Sequence, residues 1–74
     1  MKVVKKRVVT VPNSESEVAT VLGTGCVYIA YSNEDGRTYD VYVFCDGPGS
    51  TYRVVDKGTW NEVMNFMRDE AIKG

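Results

Sequence analysis

The chain has 74 residues, of which 43% are apolar and 26% charged, with no histidine and a formal net charge of −1. That length suits one domain with a modest core, and the composition is that of a folded globular chain rather than a disordered one. Without histidine, the commonest general base at neutral pH and the commonest metal ligand are both missing, so an enzyme is the least expected class.

Residues 2–11, KVVKKRVVTV, are rich in valine and stop at Pro12, which predicts a strand. Its polarity does not alternate cleanly, so an edge position is expected. Lys2, Lys5, Lys6 and Arg7 stand here without an acid, leaving five cations against all ten acids in the rest of the chain. Lysines on an edge strand block unwanted pairing. The same basic arm, through Lys5, Lys6 and Arg7, offers a contact for phosphate or an acidic partner. The acidic remainder disfavours a broadly nucleic-acid-binding surface.

In NSESEVATVLG, Ser14 and Glu17 match a capping box and Gly23 suits a helix end. A short helix or turn over residues 14–22 is favoured. The alternative is a loop followed by a strand through residues 18–22.

The clearest signal is CVYIAYSNEDGRTYDVYVFC, two strand-like runs flanking Asp35-Gly36. An Asp-Gly pair suits a two-residue type I′ turn, whose central positions both need positive φ. Paired residue numbers then sum to 71. Ala30 faces Val41, Tyr28 faces Val43 and Cys26 faces Cys45 on one side. Val27, Ile29, Tyr42 and Phe44 line the other, with Tyr31 opposite Asp40. A four-residue turn is expected to shift the pairing by two and leave the faces unchanged. Both faces are apolar near the base, so both need cover. One helix covers only one of them. The N-terminal segment, another subunit or a ligand remains for the second.

Residues 51–55, TYRVV, predict a third strand, with Tyr52 and Val54 on one side and Arg53 on the other. DKGT then breaks the chain. Thr59 and Glu62 form a second capping box and open a helix over 59–72. Trp60, Val63, Met64, Met67 and Ala71 recur at helical spacing, Phe66 widens the stripe, and the helix is expected to pack on the hairpin. Asp69 and Lys73 stand four apart on its outer face, in the favourable order, and Glu70 is also placed on the solvent side.

Two cysteines without histidine make a poor zinc site, and no metal or cofactor is expected. In register, Cys26 and Cys45 are able to bond under oxidising conditions. A pair of small buried thiols is the expected state in a reducing compartment. No activating group stands beside either one for nucleophilic work. Asp40 shares a face with Tyr42 and Phe44, as an edge marker, as a structural partner of a cation or a tyrosine hydroxyl, or as a functional carboxylate.

The loop GPGST, with Arg53 just beyond it, lacks the lysine of a P-loop and precedes a strand rather than a helix. Its plainer reading is a hairpin loop of four or five residues. Its functional reading is an anion-binding nest of backbone N–H groups at Gly47, Gly49, Ser50 and Thr51, assisted by Arg53, with Tyr28 or Tyr42 stacking on a base. Most of the tyrosines are expected to line the core.

From residue 24 onward, TGCVYIAYS, YDVYVF, GPGSTYRVV and WNEVMNFMRDEAIKG follow the order of features of the KTSC domain, which the chain resembles over about two-thirds of its length. Lys57-Gly58-Thr59 stands where that pattern has a proline before the helix. The resemblance implies a small strand-rich fold closed by a C-terminal helix. It carries over no active site, and it makes binding of RNA or a nucleotide-like ligand an expectation.

These readings predict a single α+β domain: an antiparallel sheet of three or four strands with a C-terminal helix on one face. A short, histidine-free chain of this kind resembles accessory proteins of phages and mobile elements, including inhibitors of host defence. The leading functional expectation is a non-catalytic binding protein that blocks or sequesters a partner as a homo-oligomer. A sponge for a nucleotide or other phosphate-bearing molecule, and an RNA-binding module, are the alternatives. No apolar run approaches the ~20 residues of a membrane span and no leader is evident, so a cytoplasmic setting without membrane contact is expected.

Overall fold

A computed structural model of the chain describes residues 1–8, 16–21, 26–45 and 50–73, with residues 16–21 described through their backbone pairing. Five strands, β1 (Lys2–Arg7), β2 (Ser16–Val21), β3 (Val27–Ser32), β4 (Tyr39–Phe44) and β5 (Thr51–Gly58), form one antiparallel sheet in the order β1-β5-β4-β3-β2. The helix α1 (Trp60–Lys73) packs on one face of it. This is the α+β arrangement expected from the sequence, with β1 at an edge and one more strand than foreseen.

The additional strand is β2. Residues 16–21 pair with β3, Ala19 facing Ile29 and Thr20 facing Tyr28, so the short helix favoured for residues 14–22 is not formed there. Val18, Thr20 and Val21 are β-branched and suit a pleated surface. A capping interaction is worth only about 0.5–2 kcal/mol, and residues 16–21 pair instead along the free edge of β3. Ser14 and Gly23 lie outside the described residues.

The β3–β4 register is the predicted one: Val27 faces Phe44, Tyr28 faces Val43, Ala30 faces Val41 and Tyr31 faces Asp40. The turn is not. Asn33 N donates to Thr38 O at 2.8 Å and Gly36 N to Asn33 O at 3.1 Å, which makes a four-residue loop. Gly36 has φ 69°, whereas Asp35 is not in the left-handed region. The Asp35 carboxylate instead accepts the N–H groups of Arg37 (2.8 Å) and Thr38 (2.9 Å) and the Thr38 hydroxyl (2.8 Å). Those bonds, the backbone N–H of Arg37 first, hold its carboxyl below the usual range. The wider loop is still centred between Asp35 and Gly36, so the pairing does not shift by two as a four-residue turn was expected to make it.

The predicted break at DKGT is a bulge instead, and β5 runs on to Gly58. Register slips between Tyr39 and Val41, and Lys57 adopts φ 56°. Asp40 makes this conformation tenable. Its Oδ1 accepts the Lys57 N–H and the Asn33 side-chain amide, both at 3.0 Å, so Asp40 ties the bulge to the hairpin loop.

The second capping box is present. Thr59 N donates to Glu62 Oε1 at 2.9 Å, and Glu62 N to Thr59 Oγ1 at 3.3 Å. Val63 and Met67 are fully buried against Ala30, Val41, Val54 and Val55. Each such side chain contributes about 1.5–3 kcal/mol of burial. Gly58 lets the helix come this close, since a Cβ there would lie 2.8 Å from Val63 Cγ1. Trp60 is more exposed than the stripe predicts, its ring meeting Tyr39 edge-on at 5.3 Å. Lys73 pairs with Glu70 at 3.9 Å rather than with Asp69.

β1 joins the sheet edge-on through β5, so residues 2–7 do not cover the second sheet face. No helix among the described residues is long and apolar enough to cross a bilayer.

Candidate functional site: the sheet face opposite the helix

Strand alternation divides the chemistry between two faces. On the helix face Tyr28 stacks on Phe66 at 5.8 Å, and Lys5 Nζ lies 5.5 Å from the centre of the Tyr52 ring. On the opposite face one row crosses the whole sheet. Lys6 faces Arg53, Arg53 faces Tyr42, Tyr42 faces Ile29, and Ile29 faces Ala19. Thr51 and Phe44 face each other in the next row, and Tyr31 and Asp40 in the row on the other side.

The centre of that face is electrostatically unbalanced. Lys6 and Arg53 are like charges directly across a strand pair, which opposes folding. Arg53 Nε is buried and has no hydrogen-bond partner. Lys2 at the far end of β1 does face an acid, Asp56.

Tyr42 is buried beside them, in edge contact with Tyr31 at 5.5 Å. Burial first, and the charge of Asp40 second, push its phenol above 10.0. The Arg53 cation and its hydrogen bond to the Tyr42 oxygen act the other way. Tyr42 therefore stays neutral at physiological pH and helps fix the guanidinium, a planar fork of donors suited to phosphate.

The expected site residues do not all come together. Arg53, Tyr42, Thr51 and Lys6 share the open face. Tyr28 and Lys5 belong to the helix face, so Tyr28 is not available to a ligand held by Arg53. Arg7 faces Tyr52 on β5 and thus stands apart from Lys6. Gly47 and Gly49 lie outside the described residues, so the glycine half of the expected anion nest does too. Ser50 Oγ donates to Cys45 O at 3.1 Å.

Cys26 and Cys45 are joined as a disulfide, with Cα atoms 4.3 Å apart, which replaces the expected pair of thiols. The hairpin register brings them face to face at the separation of a close cross-strand pair. Among the described residues no cysteine is free, and no cluster of three metal-ligating acidic, cysteine or histidine side chains occurs.

Glu70 is a participant that the sequence reading placed in solvent. Its carboxylate stands against the Tyr28 hydroxyl and, after burial, is the main cause of that phenol's rise above 10.0. Its spacing from Phe66, four residues back, was the available signal. No family model, curated protein or solved structure matches the chain.

Proposed function

We propose that this is a non-catalytic binding protein that sequesters a phosphate-bearing, nucleotide-like small molecule on its open sheet face. The like-charged pair of Lys6 and Arg53, directly across from each other on β1 and β5, carries this reading. An anion held by the two cations would relieve the repulsion. Thr51, on the same face, adds a hydroxyl, and the half-buried rings of Tyr31 and Phe44 offer surfaces for a base. The resemblance to the KTSC domain agrees with a binding role. A small ligand is favoured over RNA because, outside β1, five cations stand against ten acids.

The test is a thermal-shift and calorimetric titration with mononucleotides, dinucleotides and inorganic phosphate. A nucleotide should raise the melting temperature more than phosphate alone, and Arg53→Ala should abolish the shift. An unchanged shift in that variant excludes Arg53 from the site. A short single-stranded RNA serves as the third ligand. Tight binding with a steep salt dependence that flattens in Lys6→Ala would move the reading to RNA.

A homo-oligomer is the second reading, favoured by the half-buried Val27, Ile29 and Phe44 on this face. Light scattering coupled to size exclusion decides it: a strict monomer removes that role.

A further inference from the structure

The helix leaves part of its own face of the sheet uncovered. Between the second half of α1 and β1 runs a groove of about 420 Å³, within the range of small-molecule sites. Val43, Val54, Phe66 and the ring of Tyr52 form its apolar walls, and the Cys26–Cys45 disulfide lies against it.

Two charged side chains reach the groove, Glu70 and Lys5, and they differ in how far they are satisfied. Glu70 is engaged by Lys73 at 3.9 Å and by the Tyr28 hydroxyl. Lys5 has no carboxylate within ion-pair distance among the described residues, and is held only over the Tyr52 ring. An occupant thus meets apolar walls, an acid engaged by Lys73 and Tyr28, and a cation without a carboxylate partner among the described residues. An amine or quaternary ammonium would repel Lys5 and find Glu70 already paired. A neutral hydrocarbon would leave Lys5 unused.

The geometry points to a second binding site in this groove, for an amphiphile with an apolar chain and an anionic head, of the class of medium-chain carboxylic acids, whose carboxylate pairs with Lys5. This site is independent of the phosphate reading, since Lys5 and Lys6 project to opposite faces.

Decanoate is the probe, used below its micelle concentration, with decyltrimethylammonium as the cationic counterpart. Decanoate should raise the melting temperature and move amide resonances of residues 3–5, 52–54 and 66–70, whereas the ammonium should do neither. Lys5→Gln, at an exposed position, should remain folded with at most a small loss of melting temperature and bind decanoate at least roughly tenfold more weakly. Arg53→Ala should bind decanoate as the parent does. Equal effects of the two amphiphiles, perturbations centred on Lys6 and Arg53, or no binding of decanoate would each overturn the proposal.

Discussion

The two faces of the sheet are built from the same strands and resolve their polar groups differently. On the helix face, apolar side chains meet apolar side chains, and the two polar tips that reach the interior, Tyr28 and Glu70, satisfy each other. On the open face, Asp40 Oδ1 accepts from both the Lys57 and Asn33 donors, yet one row away Arg53 keeps a buried donor unpaired opposite another cation. The helix face accounts for why the chain folds, and the proposed binding site lies on the open face.

Substitutions can break or sharpen this contrast. The largest effect belongs to the helix face. Met67→Ala should cost about 2–5 kcal/mol, because it opens a cavity at a fully buried site where helix meets sheet; urea unfolding measures it. Asp40→Ala is next, at about 1–3 kcal/mol, since it strands the Lys57 amide in its left-handed conformation. Hydrogen exchange should show that amide losing protection while the helix keeps its own.

Alkaline pH probes both faces together. Tyr28 and Tyr42 both have phenols raised above 10.0, chiefly by burial. A raised folded-state pKa favours the neutral form. The stability it represents is therefore complete below about pH 10 and lost as pH rises through the folded values. Unfolding midpoints followed from about pH 8 to about pH 12 should fall only in the upper part of that window. Tyr28→Phe and Tyr42→Phe should each remove part of the decline.

The smallest effect has the opposite sign. Lys6→Glu turns a like-charged cross-strand pair into an opposite one and should stabilise the free protein by about 0.2–1 kcal/mol. It should also abolish anion binding on the open face. Loss of stability in Lys6→Glu would mean that the cation pair is not a cost to the fold, and the functional argument drawn from it would fail.

Much of the fold was legible because its signals are local. Thr59 and Glu62 announced the helix start through a three-residue spacing that the backbone geometry itself requires. Asp35-Gly36 centred the hairpin, and its register followed from alternation even though the turn proved wider. The candidate site was less legible. Arg53, Tyr42 and Thr51 stood out as residues, but Tyr28 was grouped with them because sequence spacing does not say which strand adjoins which.

By itself the sequence determined the α+β class, the β3–β4 pairing, the cap of α1 and the stripe that buries Val63 and Met67. Each follows from contacts between residues a few positions apart or symmetric about one turn. Tertiary structure alone decided that β1 lies beside β5, that residues 16–21 complete the other edge, that Glu70 turns inward to Tyr28, and that Lys6 confronts Arg53. Those arrangements join segments far apart in the chain. Their outcome depends on which free edges and apolar faces remain once the local elements have formed.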